Sequence, residues 1–257
     1  MRAWPERVPF TLVVLSVLGS AGAVVAVGFE AEPSSPGLGE LPVRPSLGAP
    51  LDENLAPVAT RPDGVPVLLV PGWLDTGRDL AALRIRLLGA GWPGECVETI
   101  TFEEPTGSNR DHAEELGAAI DALLERIGAG QVDIVAHSMG GLATRWYLRS
   151  RSDAPVRRVV FVASPHRGTL SAHLAWGGGR QEMMPDSPFL DTLNAEAPRP
   201  EGVEAMTIRT VVDTHIVPGE SATLPGIVDH ELCCPTHAGL LRDEEAFRLI
   251  LEFLDDR

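Results

Sequence analysis

The sequence contains no lysine; all 21 of its basic residues are arginine, which reflects genome composition rather than function. Positive charge is scarce altogether. Thirty-six acidic residues leave a formal net charge of −15, and this excludes nucleic acid and anionic membrane surfaces as partners. Cysteine is scarce as well: only Cys96, Cys233 and Cys234 occur, and their spacing is not that of metal ligands. Adjacent cysteines rarely bridge each other, so the pairing left open, for an exported chain, joins Cys96 to one of the other two. If "IVDHELCC" is a strand, Cys233 and Cys234 point to opposite faces. There is no internal repeat, no metal-site spacing, and no sign of a cofactor.

What is present is a globular composition, 44% hydrophobic over 257 residues, enough for one core or one core with an appendage. The chain divides into three parts. From Val8 to Phe29 there is no charge, after Arg2 and Arg7. A positive start followed by an apolar run predicts export, with residues 1–29 a signal peptide or membrane anchor. A secretory apolar region usually has about 7–15 residues and a spanning helix about 20. Cleavage sites at Ala21, Ala23 and Ala26 keep both outcomes open. Residues 30–63, rich in Pro, Gly and Ser, predict a linker. The folded domain is expected over 64–257. Export places the protein in the secreted or envelope-anchored fraction, with a membrane tether, if retained, through residues 8–29. Oligomeric state is not set by the sequence.

Within that domain, strand and helix patterns alternate. "VPVLLV" reads as a buried strand and "DLAALRIRLLGAG" as a helix that stops at its glycines. "ECVETITF" alternates as a strand does. Leu116, Ile120, Leu123, Leu124 and Ile127 share one face of the next helix, capped by Ser108 or Asn109. "QVDIVA", "GLATRWYLRS" and "VRRVVFVA" continue the series. About forty less regular residues follow, then the strand patterns "AMTIRTVV" and "GIVDHELCC" and a closing helix, "DEEAFRLILEFL". This order predicts an α/β fold with a mostly parallel sheet and helices on both faces. Active residues in such sheets collect at the carboxyl ends of strands.

One of those ends stands out. In "VDIVAHSMGG" a strand runs straight into a helix through Ser138. Only small residues fit there, because the two backbones pass close together, and here they are Ala136 and Gly140, with Gly141 beyond. A bland alternative is a serine that simply caps the helix. A nucleophilic serine needs a base, and the base needs an acid to orient it. Among seven histidines, His112 and His230 fall within elements, and His137 is expected to point away from Ser138. His237 lies in the loop between the last strand and the last helix, where a base can reach over the sheet. Asp213, ending "TIRTVVD", is the candidate acid and Asp229 its rival. The amide of Met139, at the helix N-terminus, is one candidate oxyanion donor. Trp73, in "LLVPGW", supplies the other.

Together these residues resemble an α/β-hydrolase, specifically small bacterial lipases and esterases with an Ala-x-Ser-x-Gly nucleophile elbow. The resemblance covers roughly Val65 to Asp255. It implies about six mostly parallel strands, little or no cap, and Ser138, Asp213 and His237 as nucleophile, acid and base. Pro71 stands where a histidine is usual, and one extra residue separates Asp213 from its "IVP" turn. "SPHRGT" is similar to a loop of these lipases, and "RQEMMPDSPFLDTLN" is placed to shield the site in part. The implied substrate is an acyl ester or lipid, its pocket drawn from Trp73, Trp176, Met183, Met184 and Phe189, which could equally be core. The same triad serves an acyltransferase, amidase or thioesterase, and a non-catalytic envelope-tethered binding protein is the rival from another class.

Overall fold

Strand β1 (Val67–Val70) has all four side chains fully buried, as a strand covered on both faces must. The computed structural model describes residues 65–195 and 202–255; the apolar segment at 8–29 and the linker at 30–63 lie outside them. Val67 and Leu69 point into one apolar layer, with Leu83 and Leu87 of α1 (Ala81–Gly89) and Ile250 and Leu254 of α6 (Glu244–Asp255). Leu68 and Val70 point the other way. They meet Leu116 and Ile120 of α2 (Asn109–Ile127) and Tyr147 of α3 (Gly140–Ser150). The period of two in the strand thus feeds two separate cores, each closed by helices of period 3.6.

Five further strands complete the sheet: β2 (Val97–Thr99), β3 (Val132–His137), β4 (Val156–Val162), β5 (Glu204–Thr210) and β6 (Val228–Leu232). The order is β2-β1-β3-β4-β5-β6 and every pair is parallel. All carboxyl ends therefore lie along one edge. At the opposite end of the strands Asp133, 1% exposed, accepts Arg157 Nε at 2.9 Å and Nη2 at 2.5 Å. Arg157 and Arg158 each also donate to the Leu254 carbonyl at 3.1 Å. This ties the last turn of α6 to the sheet and satisfies a helix-end carbonyl.

Two expectations are corrected. The stretch after β4, read as irregular, contains α4 (Gly178–Met183) and α5 (Pro188–Asn194). Ser187 caps α5 by accepting the Leu190 N–H, with Pro188 at the first turn. Met183, Phe189, Leu190 and Leu193 pack on Met139 and Leu142 to form a third apolar cluster. The cysteines also differ from expectation. Strand β6 ends at Leu232, so the alternation that would part Cys233 and Cys234 stops before them, and the two bridge each other. Cys96 is a buried free thiol beside β2, at the far edge of the sheet from β6. Among the described residues no helix is long and apolar enough to cross a membrane.

Candidate active site

Strand β3 stops at His137, and the next residue, Ser138, takes φ +51° before α3 begins at Gly140. A left-handed conformation at a non-glycine residue costs about 1–3 kcal/mol and persists only where its surroundings enforce it. Here the Ser138 N–H is held by the Val162 carbonyl at 2.8 Å. A Cβ on Gly140 would collide with the Pro71 carbonyl oxygen and stand 2.9 Å from Val70 Cγ1. Alanine is tolerated at Ala136, fully buried in the strand, whereas Gly140 has no such room.

Ser138 faces a cavity of about 470 Å³ that is also lined by His237, Trp73, Leu74, Ile216 and Met183. His237 Nδ1 donates to Asp213 Oδ2 at 2.8 Å. Asp213 lies three residues beyond the end of β5, in a turn where its Oδ1 accepts the N–H groups of His215 and Ile216 at 2.8 and 2.9 Å. One carboxylate oxygen thus fixes the turn and the other meets the imidazole. Asp229 serves a different purpose: it accepts Thr207 Oγ1 and Arg209 Nε, at 2.7 and 2.8 Å.

Burial alone would raise the Asp213 pKa, but the hydrogen bond and charge of His237, with the two amides, hold it below the ordinary carboxylate value. For His237 burial dominates, and with neighbouring His137 and His215 it outweighs Asp213 and lowers the pKa below the ordinary imidazole value. At neutral pH the pair is therefore an ionised carboxylate beside a neutral imidazole. This is the resting state a general base requires.

Trp73 follows the end of β1, and Met139 follows Ser138 directly at the start of α3. No acceptor among the described residues takes the backbone N–H of either. Of the other pocket candidates, Trp176 stands edge-on to Trp73 with centroids 4.6 Å apart. Phe189 is core, stacked 5.0 Å from Trp146, and Met184 packs against the third cluster.

His137 is a correction. It lines the same cavity as Ser138 rather than pointing away, because the positive φ at Ser138 ends the strand's alternation. Its Nδ1 bonds Asp75 Oδ2 at 3.1 Å, and its ring lies 4.7 Å from that of His237. Burial works to raise the Asp75 pKa, yet His137 and the Gly72 backbone bring it below the ordinary value. A Cβ on Gly72 would sit 2.8 Å from Ser138 Cβ and 3.0 Å from Asp75 Oδ2, so this loop closes directly over the serine. His215, unremarked in the sequence, stacks on His237 at 4.6 Å. The signals for these residues were present: Asp75 follows a strand end, His137 adjoins the serine, and His215 lies two residues from the acid.

Comparison with known proteins agrees with the fold. Residues 65–201 match the family model described as the alpha/beta hydrolase fold. Among solved structures, a Listeria innocua gene product superposes with a TM-score of 0.60 at 18% identity, over 75% of this chain and 94% of that one. The mature form of the Bacillus licheniformis lipase BlEst2 gives 0.63 at 15% identity, over 76% and 94%. Aspergillus fumigatus lipase B gives 0.62 at 20% identity, over 73% of this chain and 52% of that one.

Proposed function

Since the chain belongs to the alpha/beta hydrolase fold family, we propose that it hydrolyses carboxylic esters through a Ser138–His237–Asp213 triad. One observation carries the reading: Asp213 bonds His237 at 2.8 Å, at a cavity that His237 shares with a serine held at positive φ. In this mechanism Ser138 Oγ attacks the ester carbonyl while His237 Nε2 accepts its proton. The carbonyl electrons move onto oxygen, which the amides of Trp73 and Met139 receive, and a donor of this kind is worth about 2.7–4 kcal/mol. As the tetrahedral intermediate collapses, the alkoxide leaves with the proton from His237. Water, activated by the same imidazole, then releases the acid from the acyl-enzyme.

The cavity lining favours an acyl chain over a polar group, with Trp73, Leu74, Leu174, Ile216 and Met183 contributing. An acyl ester or lipid is therefore the proposed substrate, as it is for the lipases among the structural neighbours. Export belongs to the same reading, supported by Arg2, Arg7 and the uncharged run from Val8 to Phe29, which would serve as signal or tether.

Ester turnover is tested with p-nitrophenyl esters of increasing acyl length, beside fluorophosphonate labelling. Ser138→Ala should lose both the label and roughly a millionfold in kcat while retaining the parent's thermal midpoint. Undiminished turnover in that variant would refute the proposal. An unreactive parent enzyme would favour the tethered binding protein.

A further inference from the structure

Asp213 and His237 have a third companion that the proposed chemistry does not use. One ligand atom each from Asp213, His215 and His237 can be chosen so that all lie within 4.8 Å of one another. We propose that these three residues form a binding site for Zn2+, and that the bound ion switches the hydrolase off. The inhibitory half of this inference rests on the proposed triad; the binding half does not.

The donor set argues for zinc. Two imidazoles and one carboxylate, with a fourth position left to solvent, are a zinc-type set, whereas Mg2+ and Ca2+ prefer oxygen alone. Zinc bonds of about 2.0–2.2 Å in a tetrahedron place ligand atoms roughly 3.4 Å apart. His215 can close the gap. Its side chain is exposed and, among the described residues, held only by stacking on His237 and a 3.4 Å contact with Thr214 Oγ1. Its backbone is fixed on both sides. The N–H donates to Asp213 Oδ1, and the carbonyl accepts the hydroxyls of Thr169 and Ser171. A pinned backbone under a ring free to turn presents a third ligand without disturbing the acid's turn.

Occupation disables the base by either nitrogen. If the ion takes Nε2, it takes the lone pair that would accept the Ser138 proton. If it takes Nδ1, the ring proton moves through solvent to Nε2, which can then no longer accept the Ser138 proton, and the orienting hydrogen bond to Asp213 is lost. His137 and Asp75 border the same cavity and are the competing ligands to be distinguished.

The test titrates the full-length chain with ZnCl2 by calorimetry and follows ester hydrolysis in parallel. One ion per chain is expected, with hydrolysis lost on binding, restored by EDTA and unaffected by Mg2+. His215→Ala, its folding checked by thermal unfolding, should bind zinc more than roughly tenfold more weakly, since even an outer-shell partner is worth that much. Ser138→Ala should bind as tightly as the parent, so binding is read even if no ester is turned over. No binding to the parent, or equal binding by His215→Ala, would overturn the site. Binding that needs His215 in a chain that hydrolyses nothing would uphold the site and sink the ester reading instead.

Discussion

His237 carries the chemistry proposed here, and its surroundings set the pH at which it works. Burial and two neighbouring histidines lower its pKa from the ordinary 6.5, against the opposing pull of Asp213. A base with a lowered pKa stays neutral, and so competent, further into the acid range. The acid limb of kcat/KM should therefore fall below 6.5, measured on a neutral ester across pH. A limb above that value would mean that Asp213 outweighs burial, or that His237 is not the base. Gly140 makes a second prediction at this scale. Gly140→Ala must push a methyl group into the Pro71 carbonyl, and shifts of this kind typically cost about 1–3 kcal/mol. It should lower the thermal midpoint and depress kcat more than a change of KM would explain.

Among the elements, the junction of β3, β4 and α6 carries an ion pair on a buried carboxylate. Asp133 is fully buried, and burial raises its pKa even against Arg157 and Arg158. Arg157→Met would leave that carboxylate without its two-point partner. Breaking such a pair typically costs about 3–5 kcal/mol, read as a lower denaturation midpoint in urea; Asp133→Asn in the same chain should restore part of it. The strands themselves are legible from sequence, because a parallel sheet covered on both faces needs continuous apolar runs such as "VLLV" and "VVFV". The long helices are legible from their period and from Ser108, which caps α2. Helices α4 and α5 are not, since 6 and 7 residues are too few to establish a period. Ser138, Asp213 and His237, the residues of the proposed triad, stand out in the sequence because each sits in a loop beyond a strand. Strand alternation carried one residue past its end turns His137 away from Ser138, and the same extension of β6 hides the Cys233–Cys234 bridge. His215 and Asp75 carry a positional signal, beside the acid and after a strand end, but their contacts with His237 and His137 join separate segments and leave no spacing in the chain.

At the scale of the molecule, the chain carries a net charge of −15 and its candidate site is a cavity whose lining is mainly apolar. Such a field repels anionic substrates over a Debye length of about 10 Å at 0.1 M salt. For two esters of equal acyl length, one neutral and one carrying a carboxylate, kcat/KM of the anionic one should be lower and should rise with added salt. The neutral one should barely respond; equal salt responses would show that the field does not reach the cavity mouth. The sheet's order has a further consequence, through its cysteines. With Cys233 and Cys234 joined, Cys96 is the one thiol left in the chain, 6% exposed, its pKa raised chiefly by burial. It ends the 3-10 turn immediately before β2, the outermost strand on its side. Peeling back that border of the sheet would open it to a maleimide, so a labelling rate above the rate of global unfolding is a clock for fraying at one margin.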